Sequence, residues 1–182
     1  MQEEELSRLS PAGLRLAEAE YFLREYVKHC GPPIDSYFGM VCCFDAFLFA
    51  LVSVEEMVGK DIRERLNANS SFRFLKALRN ITTHHSVLAA SIQGNKFERP
   101  FSRIITTCVG SAPNDSSRLR LRFEVLRSIF DAVEAEREQE ARTLAIARDF
   151  LLALEAGGGG VVFLEEIMEQ ALDAAKCVMG NA

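Results

Sequence analysis

Hydrophobic positions recur every three or four residues along most of this 182-residue chain, which is the spacing of amphipathic helices. A first helix is predicted from Ser10, a suitable capping residue, and Pro11, which suits the first helical position. The segment 31–33, Gly-Pro-Pro, ends it. The apolar stripe of this helix consists of Leu9, Leu16, Leu23, Val27 and Cys30.

A second helix is predicted from about Ile34 to Val58, closed by Gly59, and it is apolar almost all round. We therefore expect it to lie at the centre of the fold. Its most apolar part, residues 38–54, is slightly short for a membrane span and contains Asp45, which favours a buried core helix. Residues 59–71 are predicted to form a polar connection.

A third helix is predicted to start near Ser70 and to stop by Gly94-Asn95. Its core-facing positions are spaced three or four residues apart: Phe74, Leu78, Ile81, His85, Leu88 and Ile92.

The segment 95–117 is the least helical part of the chain, and residues 118–123 (RLRLRF) alternate strictly as in a strand. A small β-hairpin from about 102 to 123 is predicted, and the alternative is a mobile loop leading into a helix at Ser117. From Glu124 the pattern is helical again, either as one long helix or with a break between Glu134 and Arg142.

Four glycines at 157–160 predict a flexible joint before a last helix. That helix has apolar positions at Leu164, Ile167, Met168, Ala171, Leu172, Ala175, Val178 and Met179. The sequence therefore predicts an all-α fold: a single helical-bundle domain over residues 1–182, with about five helices and an insertion at about 95–123.

Composition narrows the function classes. The chain is 48% hydrophobic and 26% charged, which suits one compact domain. Its net charge of −5 argues against a broad basic surface for nucleic acid but leaves room for a local patch. The five cysteines show no spacing typical of a metal site, so we expect reduced thiols, no metal and no cofactor. An acidic, polar N-terminus argues against a signal peptide, so the sequence predicts a cytoplasmic protein that does not enter a membrane.

The segment Arg79–His85 (RNITTHH) concentrates polar chemistry at the end of an otherwise ordinary amphipathic helix. On a straight helix Asn80 and His84 lie one turn apart on one face, whereas Arg79 and His84 point roughly 140° apart. His85 falls on the apolar stripe and is best explained as a core histidine. Taken alone, His84 is typical of a surface residue at a fraying helix end.

Taken together, Arg79, Asn80 and His84 resemble the R-x4-6-H motif of the HEPN superfamily of helical-bundle proteins, many of which are ribonucleases. In that family the residue after the Arg is typically Asn, Asp or His, and here it is Asn80. The architecture is also similar, with two long helices before the motif and an irregular insertion after it. The motif itself covers only residues 79–84.

This resemblance implies a metal-independent endoribonuclease that acts as a homodimer, with two copies of the motif forming one cleft. Arg79 and His84 would be the catalytic pair, and Asn80 would orient His84. It also implies an RNA substrate, a role as a toxin or defence component, and an antitoxin or regulatory protein as partner.

The chemistry of these side chains is consistent with such a reaction. Cleavage of RNA through its own 2′-hydroxyl requires a proton transfer and stabilisation of a negative phosphorane. An imidazole that titrates near neutral pH can move the proton. A guanidinium can hold phosphate oxygens with two parallel donors.

Further candidates lie outside the motif. Asp45 has apolar neighbours on every side, so as a buried carboxylate it would need a partner, and Arg79 or a nearby histidine is a candidate. It could instead lie on the one polar seam of its helix. Arg118, Arg120 and Arg122 would share one side of a strand, either as an RNA-binding wall or as a solvated strand face.

Two other function classes remain open on the sequence. One is a catalytically inactive HEPN-like module that dimerises or binds a nucleotide or partner protein. The other is an unrelated helical scaffold in which residues 79–84 are a capped helix end.

Overall fold

A computed structural model describes residues 9–29, 37–84, 109–112, 115–121, 127, 130–131, 138–157 and 164–180. Within these ranges the longer elements are α1 (Pro11–His29), α2 (Tyr37–Met57), α3 (Lys60–Ala68), α4 (Ser70–His84), β1 (Val109–Ala112), β2 (Asp115–Leu121), α5 (Glu138–Ala156) and α6 (Leu164–Gly180). The helices pack around one hydrophobic core. The predicted all-α helical bundle is therefore confirmed.

Helix α1 begins as its sequence predicts. The Ser10 hydroxyl accepts a hydrogen bond from the backbone N–H of Gly13 at 3.1 Å, and Pro11 is the first helical residue. The predicted stripe is only partly right, because Leu9 and Val27 are exposed. The buried face combines two leucines with Ala12, Ala19 and Tyr26, and the two alanines leave room for a neighbouring helix. Helix α1 packs most extensively against α2.

Helix α2 supplies the centre of the core, as predicted. Its fully buried side chains include three large ones one turn apart, Met40, Phe44 and Phe47. It packs against α1 on one side and against α3 and α4 on the other. Phe49 is the exception, because it is 52% exposed and lies under the guanidinium of Arg15.

Helix α3 corrects the prediction of a polar connection at residues 59–71. Ile62 and Leu66 are four residues apart, so they share a face, and Leu66 is fully buried while Ile62 packs at the edge of the core. Asn69 joins α3 to α4. Its backbone N–H donates to the carbonyl of Leu66, and its side-chain Oδ1 accepts from the N–H of Phe72 at 2.8 Å.

Helix α4 starts at Ser70, as predicted, and buries Phe74, Leu78 and Ile81. The other predicted stripe positions, His85, Leu88 and Ile92, lie outside the described residues. Phe74 contacts two rings across the core: Phe130, at a centroid distance of 6.2 Å, and Phe150 of α5, at 5.0 Å. These contacts fix α4 against the second half of the chain.

The two strands lie within the range where the sequence predicts a hairpin. They pair antiparallel, with Val109 opposite Leu121 and Gly110 opposite Arg120, and the register shifts between Ser111 and Ala112. Strand β2 lies against α6.

A single straight helix from Glu124 to Ala156 is excluded. Arg127 forms an ion pair with Glu155 at 2.7 Å, and Arg148 donates a hydrogen bond to the carbonyl of Phe130 at 2.6 Å. One continuous helix would hold Arg127 and Glu155 about 42 Å apart. The alternative with a break between residues 134 and 142 therefore fits the contacts, although residues 132–137 lie outside the described ranges.

Helix α6 has the buried face that its sequence predicts, from Leu164 to Ala175. Lys176 forms an ion pair with Glu20 of α1 at 2.9 Å, and its hydrogen bond holds the pKa of Glu20 below the ordinary value. Ser71 of α4 donates a hydrogen bond to the side chain of Gln170. The last helix thus closes the bundle against both α1 and α4.

Replacing Phe74 by Ala tests this packing. We expect the free energy of unfolding to fall by about 3–5 kcal/mol, because the substitution leaves a cavity beside the two remaining rings, Phe130 and Phe150. Phe49→Ala is the matched control, with an expected loss below about 1 kcal/mol because its ring is half exposed. Urea denaturation measures both, and equal losses would contradict the assignment of Phe74 to the core.

Candidate functional site

The predicted catalytic residues lie in the last two turns of α4. Arg79 and Asn80 are both half-buried, and they stand between the fully buried Leu78 and Ile81. The backbone is helical through His84, the last described residue of α4. The side chains of Arg79 and Asn80 lie at the rim of the core.

Helical geometry separates the two predicted catalytic positions within one chain. Arg79 and His84 are five residues apart in a continuous helix, which places them about 140° apart around the axis and about 7.5 Å apart along it. Asn80 and His84 are four residues apart and share a face. On a single α4 the positions of Asn80 and His84 therefore share a face, and the position of Arg79 points about 140° away from that of His84.

A polar network that includes Lys76, about one turn before Arg79 on α4, joins three helices. The Nζ of Lys76 lies 2.6 Å from Oε2 and 2.8 Å from Oε1 of Glu55, at the end of α2. It also lies 3.2 Å from Oδ1 of Asn67 in α3, whose amide donates to the same carboxylate at 2.8 Å. The two charged side chains are only 14% and 12% exposed. This three-residue network holds α2, α3 and α4 in one arrangement.

Arg63 adds a second link between α2 and α3. Its Nε donates to the backbone carbonyl of Glu55 at 3.1 Å, and its Nη2 donates to that of Val58 at 3.5 Å. These carbonyls lie at the C-terminal end of α2, where a helix leaves acceptors unused and carries partial negative charge. Arg63 thus caps α2 from the neighbouring helix.

An open groove of about 470 Å³ lies over this network, between α3, α4 and the start of α5. Its described lining contains two carboxylates, Glu55 and Glu64, and five cationic side chains. The cations are Lys60, Arg63, Arg73, Lys76 and Arg142. We call it the basic groove, and it stands out in a chain with a net charge of −5.

The basic groove was missed by reasoning from the sequence alone. Lys60, Arg63 and Asn67 are three and four residues apart, so they share a face once the segment is helical. Read as a loop, the same residues have no common side. The three- and four-residue spacing of these side chains was therefore visible in the sequence, but residues 59–71 were predicted to form a connection and not a helix.

The basic groove and the predicted catalytic segment share one face of α4. Arg73, Lys76, Asn80 and His84 are separated by three, four and four residues, which is the repeat of one helix side. The position of His84 lies about 12 Å along the axis from that of Lys76. One polar strip of α4 therefore runs from the groove to the end of the helix.

The described supporting candidates lie in α2 and β2. Asp45 is half-buried in α2, and its predicted pairing with Arg79 or a histidine stays a prediction. Arg118 and Arg120 are two positions apart in β2. Arg122 lies outside the described residues.

A second groove of about 590 Å³ lies between α1 and α2, with Tyr21 and Phe49 among its lining residues. It contains none of the residues that the sequence predicted to be functional. Its lining is mainly apolar, with Arg15 and Glu18 paired at its edge.

Among the described residues, no three His, Cys, Asp or Glu side chains come close enough to hold a metal ion. Cys42 and Cys43 are half-buried, and burial together with the nearby Glu25 raises the pKa of the Cys43 thiol. A protonated thiol is a poor nucleophile at neutral pH.

Comparisons with known proteins add no further assignment. The chain matches no family model, no curated protein and no solved structure. Among the described helices, none combines the length and hydropathy needed to cross a bilayer.

Removing one member of the Glu55–Lys76 pair tests the network beneath the basic groove. Lys76→Ala should lower the free energy of unfolding by about 2–3 kcal/mol, because it leaves a nearly buried carboxylate without its cation. Glu55→Gln and Lys76→Met should each lower the free energy of unfolding when made alone. The double variant should lose less than the sum of these two single losses. Glu64→Gln is the control and should cost below about 0.5 kcal/mol, since its pair with Lys60 is exposed and 3.7 Å long. Additive effects of the two network changes in urea denaturation would contradict the coupling.

Proposed function

We propose that this protein is a metal-independent endoribonuclease of the HEPN type that acts as a homodimer. The observation that carries the proposal is the Arg-Asn-x3-His segment in a regular helix of an all-α bundle. Half-exposure of Arg79 and Asn80 supports it, because both can then reach a substrate or a second subunit.

Two-fold pairing is the step that the helix geometry requires. Arg79 and His84 diverge on one helix, so a single chain does not bring them to one phosphate. A second copy that packs against the end of α4 would bring Arg79 of one subunit next to His84 of the other. A two-fold axis then generates two equivalent pairs in one cleft.

Each residue has a distinct role in the proposed reaction. His84 takes the proton from the 2′-hydroxyl of the RNA, and the resulting oxygen attacks the adjacent phosphorus. Arg79 holds the phosphate oxygens as negative charge develops on them. Asn80 lies one turn from His84 on the same face and orients its imidazole. The P–O5′ bond then breaks, and the leaving O5′ takes up the proton that His84 removed from the 2′-hydroxyl. The products are a 2′,3′-cyclic phosphate and a 5′-hydroxyl.

The biological setting proposed with this activity comes from the same resemblance. It is that of a toxin or defence component controlled by an antitoxin or regulatory protein. A module that dimerises without cutting RNA is the second candidate function, and the divergence of Arg79 and His84 in a single chain is the observation that favours it.

RNA cleavage in excess chelator tests the proposal. The wild-type protein should cut a single-stranded RNA with EDTA present, and Arg79→Ala and His84→Ala should each reduce the rate by at least about 100-fold. His29→Ala is a matched control, because His29 also ends a helix, and Arg65→Ala is the control for loss of an arginine. Both controls should retain activity.

Circular dichroism should show that all four variants remain folded. Cleavage that requires a divalent metal, or that survives His84→Ala, would contradict the proposed mechanism. A folded dimer that leaves RNA intact would instead support the inactive module.

A further inference from the structure

We propose that the basic groove binds the phosphodiester backbone of single-stranded RNA and leads the strand along α4 to the Arg79–His84 segment. This inference rests on the proposed function for the identity of the ligand. The groove itself stands on its own geometry, namely five cations around two carboxylates over a rigid polar floor.

The charge of the Glu55–Lys76 pair at the floor of the groove is balanced, because the two side chains form an ion pair. Arg63 donates to two carbonyls at the C-terminal end of α2 and keeps its positive charge, since a carbonyl is neutral. The positive charge open to a ligand therefore comes from Arg63 and from the cations at the wall and the two rims.

Arg73 is the central cation among these. It is half-buried, lines the groove, and its guanidinium has no hydrogen-bond or ion-pair partner among the described residues. A partly desolvated guanidinium without a carboxylate is well suited to take a phosphate with two parallel donors. Its position is three residues before Lys76 and seven before Asn80, on the polar strip of α4.

Exposed cations complete the two rims. Lys60 is 84% exposed and only loosely paired with Glu64, at 3.7 Å. Arg142 of α5, 73% exposed, pairs with Glu138 on its own helix. Exposed pairs of this kind are worth little, so either cation can exchange its carboxylate for a phosphate.

The shape of the site favours a polymer over a single nucleotide. The groove is open, and the polar strip of α4 continues beyond it by about 12 Å, which exceeds the spacing of neighbouring phosphates in a nucleic-acid strand. None of its described lining residues is aromatic, so no base-stacking platform is present there. The chemistry thus fits sequence-independent contacts to phosphates.

Binding is measured separately from cleavage by using His84→Ala as the background. Fluorescence anisotropy with a labelled single-stranded RNA in EDTA gives the affinity across a salt series. Removal of one cation that binds a phosphate should weaken binding by about fivefold at 0.1 M salt. It should also reduce the slope of log affinity against log salt by about 0.7.

Arg73→Gln should therefore weaken binding about fivefold and reduce the salt slope by about 0.7. Arg73→Gln combined with Lys60→Gln should produce twice that change in log affinity and in slope. Arg65→Gln is the matched control: it removes the same charge from α3 outside the groove and should change affinity by less than about twofold. Circular dichroism confirms folding, and Lys60→Gln alone provides an exposed substitution if Arg73→Gln is unstable.

Three results would overturn the inference. The first is an affinity for RNA that responds to Arg73→Gln no more than to Arg65→Gln. The second is the absence of RNA binding. The third is groove-dependent binding of poly-glutamate in place of RNA, which would assign the groove to an acidic protein. RNA binding that follows the groove variants, combined with cleavage that survives His84→Ala, would retain this inference and reject the proposed mechanism.

Discussion

The ion pair between Glu55 and Lys76 is the interaction on which the arrangement of the functional surface depends. It joins the end of α2 to the middle of α4, and Asn67 brings α3 into the same network. Both charged groups are nearly buried, and charges in that position are stable only while each keeps its partner. The polar floor therefore specifies where α3 and α4 stand relative to α2, while the aromatic contacts of Phe74 hold α4 from its other side.

This constraint holds the polar face of α4, which carries Arg73, Lys76 and Asn80, at the rim of the core. Buried positions such as Leu78 and Ile81 fix the opposite face in the core, so the polar strip cannot rotate inward. The basic groove and the positions of Asn80 and His84 then share one side of α4, and the position of Arg79, three residues after Lys76, lies about 140° around the axis from that of His84. A nuclease built on this helix needs a second subunit to bring the guanidinium of Arg79 next to His84. The basic groove that would bind RNA lies within a single subunit.

Periodicity in the sequence was sufficient to predict the bundle, the start of α4 at Ser70 and the buried face of α6. It failed at α3, because only Ile62 and Leu66 mark the apolar side of a nine-residue helix that is otherwise charged. Periodicity also predicted Val27 in the core, where the structure buries Tyr26 instead. The predicted stripe was based on large apolar side chains and overlooked the alanines, whose small side chains let helices approach. The residues 79–84 could be singled out by type and spacing. The groove could not, because its cations come from three helices whose packing is set by tertiary contacts.

The central claim is that Arg79 of one subunit and His84 of the other act on one phosphate. The most direct measurement mixes the Arg79→Ala and His84→Ala proteins, allows their subunits to exchange, and assays RNA cleavage in EDTA. Half of the dimers should be mixed, each with one intact pair, so activity should return to about a quarter of the wild-type value although neither variant is active alone. A mixture that stays as inactive as its components, with exchange demonstrated, would contradict the claim.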